Sequence, residues 1–352
     1  MNAITIGLDI GKSSFQVHGV DATGAVALRR KLPRSRVLAL FGTLAPAVVG
    51  IEACASGQYW AREIGALGHT VRLMPARAVK AYLPRQKNDA ADAAAICEAA
   101  GRPGIVRSVP VKSVEAQSVL SLLRVRELLL KQRTMLVNAL RGHLAEFGKV
   151  APRGRAGVAA LTALLSENEL PEAVRLACTA LQSALAGLEA QVVALDAALR
   201  ERHRQDRQAQ RLAEIPGIGL MGATALSVGT RPAAFKTARD YAASLGLVPG
   251  QHSTGGKARL GSITRMGDGR VRRLLVLGAS ALLKRLRPRN GVAPAALAAS
   301  ALGAWALRLL AHKSWRVAMV ALANKLARIA WAVLTRAEAY RPHATPPTAV
   351  AA

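Results

Sequence analysis

The chain has 352 residues, room for two or three domains with buried cores, and carries 49 Lys and Arg against 21 Asp and Glu, a formal net charge of +28. That excess argues against a neutral scaffold or an acidic small-molecule enzyme and points to a polyanionic partner, because a positive field attracts phosphates and releases their counterions. Apolar residues make up 51% of the chain, which excludes an intrinsically disordered protein, and aromatics only 3%, so the core must be mostly Ala, Leu and Val. The abundance of Ala, Arg, Gly and Pro fits a GC-rich genome, so part of the arginine excess is compositional.

Residues 3–32 read as three strands, with alternating Ile4, Ile6 and Leu8, then Phe15 and Val17, then Val26 and Leu28, separated by turns at Gly11-Lys12 and Ala22-Thr23-Gly24. A helix is predicted over 34–44, a short buried strand over 47–52, a helix near 57–67, a strand near 69–74 and a helix near 75–83. Residues 88–100 form a further helix, and the whole block reads as an α/β domain with a mixed sheet.

From about residue 112 the pattern is helical. In 173–200, Leu181, Leu185, Leu188, Val192, Leu195 and Leu199 form a heptad seam, and 114–147 carries a looser version through Leu122, Val125, Leu129, Leu136, Leu140 and Leu144. Pro152 and Gly154 divide the two segments. An antiparallel helical hairpin and a dimerising coiled coil both fit this spacing. Residues 211–226 have the form of a helix-hairpin-helix, with Pro216, Gly217 and Gly219 in a turn whose bare amides suit a phosphate, or else serve as an ordinary Gly-rich connection. A Gly- and Ser-rich loop is expected at 248–262, then helices near 268–287, 293–312 and 314–340. The predicted division is 1–110, 111–205, 206–340, and a disordered Pro- and Ala-rich tail over 341–352.

Three cysteines, Cys54, Cys97 and Cys178, with no CxxC pair, suggest a reducing compartment without a disulfide framework or zinc site. Asp9 stands where a signal peptide would need its apolar segment. The stretch 291–311 comes nearest to a membrane span, but Arg308 interrupts it. A buried helix in a cytoplasmic protein, with no membrane partner, is the expectation.

Two groups of residues point to chemistry. Asp9 lies at the end of the first strand and Glu52 at the end of the strand VVGIE, while Asp89 and Asp92 share a helix face at i and i+3. Carboxylates gathered at strand ends and on one helix supply the hard oxygen ligands that Mg²⁺ takes, singly or as a pair of ions. Taken one by one, Asp89 also suits a helix N-terminus and Asp9 a turn. The second group is Ser253 in QHSTGGK, a serine beside Gly255-Gly256 and Lys257. It reads either as a covalent nucleophile or as part of a phosphate-contacting loop, with His252 adjacent. Lys257, Arg259 and Arg265 suit a phosphoryl transition state. With Arg270, Arg272, Arg273, Lys284, Arg285, Arg287 and Arg289 they make a basic stretch whose only acid is Asp268, expected to line a nucleic-acid surface. Aromatic residues are sparse there, so base stacking is not its expected mode.

The segments ITIGLDIGKSSFQVHGVD, GIEAC, KNDAADAAAI, IPGIG, GLVPGQHSTGGKARLGSITRMGD and ALANKLARIAW together resemble the DEDD transposases of bacterial insertion sequences, the bridge-RNA-guided recombinases. The resemblance runs over about residues 3–338. It implies a RuvC-like, RNase H-fold N-terminal domain, a coiled-coil insertion and a mainly α C-terminal transposase domain. Carried over by position, Asp9, Glu52, Asp89 and Asp92 become a metal-binding tetrad and Ser253 the nucleophile that forms a phosphoserine link to DNA. The family's reaction implies site-specific strand exchange between donor and target DNA, bridged by a structured guide RNA. It takes place in a homo-oligomer, a dimer or tetramer, in which the carboxylates of one subunit work with the serine of another, at the nucleoid of a bacterial cytoplasm. Three other readings fit parts of the chain, one of them a non-catalytic nucleic-acid binder in which the carboxylates and the serine are dispensable. LDIGKSS also suits the first phosphate motif of an actin-like kinase or ATPase, and a Holliday-junction resolvase would use the carboxylates without the serine.

Overall fold

A computed structural model describes residues 4–83, 88–165, 170–287 and 291–342. The tail from 343 and Arg289 lie outside the described residues, so the disorder expected of the tail and a role for Arg289 are not addressed by it. The chain divides into two compact units, 1–114 and 115–352.

In the first unit, β1 (Thr5–Ile10), β2 (Ser14–Val20) and β3 (Val26–Pro33) form an antiparallel meander. A short helix α1 (Val37–Gly42) leads to β4 (Val48–Glu52). Next come α2 (Gly57–Ala66), β5 (Thr70–Met74), α3 (Ala76–Val79) and α4 (Asp89–Ala100). The sheet has five strands in the order β3-β2-β1-β4-β5, with β4 parallel to both β1 and β5. The helix expected over 75–83 is only one turn long and continues as a 3₁₀ turn over Lys80–Tyr82.

Strand alternation sorts the sheet's two faces. Ile6, Leu8, Val17, Val49 and Ile51 point one way into a core with Phe41, Trp60 and Ile64. Gly7 and Gly50 point the other way, and α4 lies directly on them. A Cβ at Gly7 would stand 2.1 Å from Ala93 O, and one at Gly50 would stand 2.6 Å from the Ala100 methyl. The absence of side chains at these two positions is what lets the helix backbone touch the sheet. Two polar groups are used structurally. His69 is buried, accepting from Ala47 N–H and donating to Phe41 O, and the Arg34 guanidinium stacks over Phe15 and Trp60.

The second unit opens with α5 (Val114–Ala145), followed by α6 (Arg155–Leu164) and α7 (Glu172–Gln205). Arg126 pairs with Asp196, and Arg133 with Glu189 at 2.8 Å. Leu123 shares a core with Leu199, and Val137 and Leu144 share another with Leu185 and Cys178. Residue numbers rise along α5 as they fall along α7, so the heptad seam closes an antiparallel hairpin within the chain, with α6 at its tip. Within that seam Leu185 and Leu199 are fully buried, while Leu181, Leu188, Val192 and Leu195 are half-buried.

Beyond the hairpin come α8 (Arg207–Ala213), α9 (Leu220–Gly229), α10 (Ala238–Ser244), β6 (Pro249–Gln251), β7 (Leu260–Ile263), α11 (Gly269–Leu286), α12 (Ala295–Ala299), α13 (Ala301–His312) and α14 (Trp315–Arg336). Leu322, Ala323, Leu326, Ala327 and Ala330 of α14 are fully buried in a core shared with α8 to α11 and α13. Both α7 and α14 are long and apolar enough to span a membrane by length and composition. For α14 the central place in this core accounts for that character.

Two sequence expectations are corrected here. The helix expected over 293–312 is broken, because Ser300 takes an extended ψ and caps α13 by accepting from Gly303 N–H at 3.0 Å. The loop expected at 248–262 is a β-hairpin, since β6 and β7 pair antiparallel. Both its strands are largely exposed and lack an apolar alternation, which is why the pattern did not announce them.

Gly7→Ala should destabilise the protein by about 1–3 kcal/mol, as overpacking a close-packed contact does. It should also weaken divalent-ion binding by pushing α4 off the sheet. Denaturant unfolding and ion titration check both. An unfolding midpoint equal to that of the wild type would contradict the close contact.

Candidate functional site

The first site is built by the sheet and α4 together. Asp9 lies two residues beyond Gly7 on the same face of β1, and Glu52 two beyond Gly50 on the same face of β4. Leu8 is registered with Ile51, so Asp9 and Glu52 stand side by side at the ends of parallel strands. The N-terminus of α4 is fixed by Asn88, whose side chain accepts from Ala91 N–H at 2.8 Å. Asp89 and Asp92 fill the first turn of that helix. With α4 flat on Gly7, Asp9, Asp89 and Asp92 each present a carboxylate oxygen within 4.8 Å of the others. Glu52 lies outside that group of three, but its charge acts on Asp9.

The electrostatics are those of uncompensated anions. Among the described residues, no Lys or Arg forms an ion pair with any of the four carboxylates. Burial, reinforced by Asp92, Asp89 and Glu52, pushes the Asp9 carboxyl up from 3.8 to about 6. Asp92 Oδ1 is buried with no hydrogen-bond partner. Converging hard oxygens, an orphaned carboxylate oxygen and mutual repulsion fit a divalent cation such as Mg²⁺, which would satisfy the unpartnered oxygen and neutralise the charge.

The second site is the hairpin of β6 and β7. Thr254, Gly255, Gly256 and Lys257 form its tip, with φ of +54° at Gly255 and +78° at Gly256, and Lys257 N–H bonds to Thr254 O at 3.0 Å. Two successive positive φ angles are the demand of a type I′ turn, which two glycines meet without strain. Ser253 stands just before this turn and is exposed. Its Oγ accepts from Gln251 Nε2 at 2.9 Å and from the Arg259 backbone N–H at 3.1 Å. Two donors aimed at one hydroxyl oxygen hold its rotamer, leave its proton free to be given away, and favour negative charge on the oxygen. His252 is not among these partners. Its ring folds back toward Gly250 and Gly261 instead. Ser253 belongs to the second unit and the carboxylates to the first.

The basic residues divide. Lys257, Arg259 and Arg265 are exposed, and Arg265 holds a left-handed φ of +55°. The residues near the start of α11 make contacts within the fold, although Arg273 stays exposed. Arg272 donates to Leu245 O at 3.0 Å and Met266 O at 2.6 Å, pinning the chain before the helix. Arg270 and Arg273 both pair with Glu127 of α5. The expected basic face is thus partly neutralised, through an acid about 140 residues earlier that no local pattern links to it. Gly217 is likewise a packing residue. It has φ +92°, and a Cβ on Gly278 would fall 1.7 Å from Gly217 O, so α11 crosses the α8–α9 turn backbone to backbone. Gly219 caps α9 and stays exposed. Sequence reasoning missed Gly7 and Gly50, although their signal was present as Gly-x-Asp and Gly-x-Glu at two strand ends.

The chain is similar to known proteins over nearly its whole length. Residues 6–148 match the family model for DEDD transposases of IS110 type, described as "Transposase", and residues 209–291 match the model described as "Transposase IS116/IS110/IS902 family". A "Probable family 20 transposase" of Pseudomonas aeruginosa is 45% identical over 347 residues, covering 97% of this chain and 100% of the relative. The "Transposase for insertion sequence element IS1328" of Yersinia enterocolitica is 37% identical, covering 95% and 98%. The "Transposase for insertion sequence element IS1111A" of Coxiella burnetii is 34% identical, covering 96% and 91%.

The raised Asp9 pKa makes a signed prediction. Its carboxyl keeps a proton in the fold that the unfolded chain releases, so this site's contribution to apo stability is present below about pH 4 and is lost as pH rises through about 6. A divalent ion reverses that loss. The gain in melting temperature from adding Mg²⁺ to chelator-treated protein should therefore be larger at pH 7 than at pH 5, and Asp9→Asn should flatten the difference. A Mg²⁺ gain that is independent of pH would contradict the assignment.

Proposed function

Because the chain belongs to the IS116/IS110/IS902 family of insertion-sequence transposases, a family of DNA-cleaving and DNA-joining enzymes that generally use divalent metal ions, we propose that it performs site-specific strand exchange between donor and target DNA, directed by a structured guide RNA. The observation that carries the reading is the convergence of Asp9, Asp89 and Asp92, with Glu52 beside them, at the ends of two parallel strands. We read the first unit as RNase H-like (RuvC-like). The meander followed by parallel β4 and β5, in the order β3-β2-β1-β4-β5, supports this. We read 111–205 as the coiled-coil hairpin insertion and 206–340 as the transposase domain, with a helix-hairpin-helix at α8–α9.

In this reading Asp9, Glu52, Asp89 and Asp92 hold Mg²⁺, as one or a pair of ions. When bound, the metal supplies Lewis-acid stabilisation of charge on the reacting phosphate oxygens. The carboxylates orient the site and keep the negative charge needed to retain the cation at neutral pH. Ser253 Oγ attacks the scissile phosphorus. An Oγ–P bond forms, the bond from phosphorus to the leaving strand oxygen breaks, the serine proton departs, and the leaving oxygen takes up a proton. Gln251 and the Arg259 amide steady the attacking oxygen, and Lys257, Arg259 and Arg265 offer positive charge to the phosphate. In the return step a hydroxyl of the new strand attacks the phosphoserine and frees the enzyme, so the phosphodiester count is conserved.

A serine and a carboxylate set in separate units suit a homo-oligomer, a dimer or tetramer, in which they come from different copies. Sequence choice rests with guide pairing, while the protein grips backbone through Gly219 and the exposed cations. Arg273, exposed beside Glu127, stays in the proposed surface, whereas Gly217, Arg270 and Arg272 are taken up by contacts within the fold. The setting is the bacterial cytoplasm, at the nucleoid.

Ser253→Ala should abolish a covalent protein–DNA adduct and recombination together, read by denaturing gel and by mass spectrometry of the phosphoserine peptide. Asp9→Asn should lower metal-dependent strand cleavage by at least about 100-fold, the scale of losing a metal-dependent or acid–base contribution. Recombination retained by Ser253→Ala would sink the nucleophile. Cleavage that survives Ser253→Ala but not Asp9→Asn would favour a resolvase-like nuclease.

A further inference from the structure

The second unit contains a concavity that neither proposed site uses. It lies between α13, α14 and the residues that follow α14, and has a volume of about 570 Å³, within the ~300–1,000 Å³ range of small-ligand sites. Ala337, at φ +55°, ends α14 in the left-handed conformation and reverses the chain. The reversal packs Tyr340 against the helical core and brings Arg341 to the pocket wall.

The lining has two characters. Arg308, Lys325, Arg336 and Arg341 supply positive charge, against Glu338 as the one acid of the wall. Among the described residues none of these four cations forms an ion pair, unlike Arg270 and Arg273, which share Glu127. The Lys325 Nζ sits 4.3 Å from the centroid of the Trp305 ring, so its nearest partner is an aromatic face. Burial, with Arg328 and Arg308 nearby, lowers the Lys325 pKa, as expected where like charges crowd without an anion. The rest of the wall is apolar or aromatic, with Trp305, Ile329 and Tyr340.

A bare anion would not need the aromatic wall, and an apolar ligand would not need four unpaired cations. A nucleotide needs both. A duplex must first unpair and unstack a base to insert it, whereas a single strand can turn a base into a pocket freely while its phosphates follow the cations.

We propose that this pocket binds one unpaired nucleotide of a single-stranded nucleic acid, its phosphate held by Arg308, Lys325, Arg336 and Arg341 and its base against Trp305 and Tyr340. The proposal rests on reading the chain as a nucleic-acid enzyme, but not on its chemistry.

The test uses the full-length protein and hexamers carrying a central 4-thiouridine or 4-thiothymidine, one RNA and one DNA, with a matched duplex as control. Photo-crosslinks should map to peptides containing Trp305 or Tyr340. Tyr340→Ala, and separately Arg308→Ala/Arg336→Ala, should weaken single-strand binding on the order of tenfold and leave duplex binding nearly unchanged. The double variant should also reduce the dependence of log K on log salt by about 0.7 per lost phosphate contact. Stronger crosslinking by the RNA or the DNA hexamer names the strand that supplies the nucleotide, and either supports the pocket. Crosslinks absent from residues 301–342, unchanged single-strand affinity in both variants, or competition by inorganic phosphate equal to that by a nucleoside monophosphate would overturn it. No strand exchange is required, so failure of the Ser253 or Asp9 predictions would leave this measurement standing, and its own failure would leave them untouched.

Discussion

The contact of α4 with the sheet is the constraint on which the carboxylate site depends. Protein interiors are close-packed, and a helix normally rides on a layer of side chains about 10 Å from a sheet. Gly7 and Gly50 remove that layer at two neighbouring points, so the first turn of α4 descends to the strand ends. Asp89 and Asp92 thereby reach Asp9, next to Glu52. The same descent concentrates negative charge with no basic partner among the described residues, which is electrostatically unfavourable until a cation arrives. The apo fold therefore holds a repulsion that a bound cation would relieve, and burial together with that repulsion raises the Asp9 pKa.

Positive charge is handled differently in different places. The start of α11 spends its arginines on internal work: Arg272 ties down the preceding loop through two carbonyls, and Arg270 and Arg273 close on Glu127. The hairpin tip keeps Lys257 and Arg259 in solvent, and the concavity at the end of α14 gathers its cations without ion pairs among the described residues. A net charge of +28 thus overstates the surface available to a polyanion and says nothing of where it lies.

Much of the architecture was legible because long apolar periodicities have few structural solutions. The heptad leucines of 181–199 required a helical partner, and the strand alternations of residues 4–28 required a sheet. The misread segments carry weak or misleading local signals. Residues 249–263 pair through backbone hydrogen bonds without an apolar face, and only Gly255-Gly256 announced the turn. Ser300 interrupts an Ala-rich run whose composition favours an unbroken helix, and its capping bond outweighs that preference. The pairing of Arg270 and Arg273 with Glu127 was invisible because the partners are distant in sequence and surface ion pairs have no local pattern.

The sequence by itself determined the mixed α/β opening, the helical remainder, and the residue types capable of chemistry, since period, charge and side-chain donor sets are properties of local order. Only the tertiary structure decided which of those residues meet. It brought three aspartates from two elements within 4.8 Å, turned the expected loop around Ser253 into a hairpin that aims two N–H donors at its oxygen, and tied Arg270, Arg272 and Arg273 into contacts within the fold. The physical reason is that convergence depends on how closely backbones pack, and two glycines set that distance: Gly7 meets α4 at Ala93 and Cys97, and Gly50 meets it at Ile96 and Ala100, contacts that no stretch of sequence read alone contains.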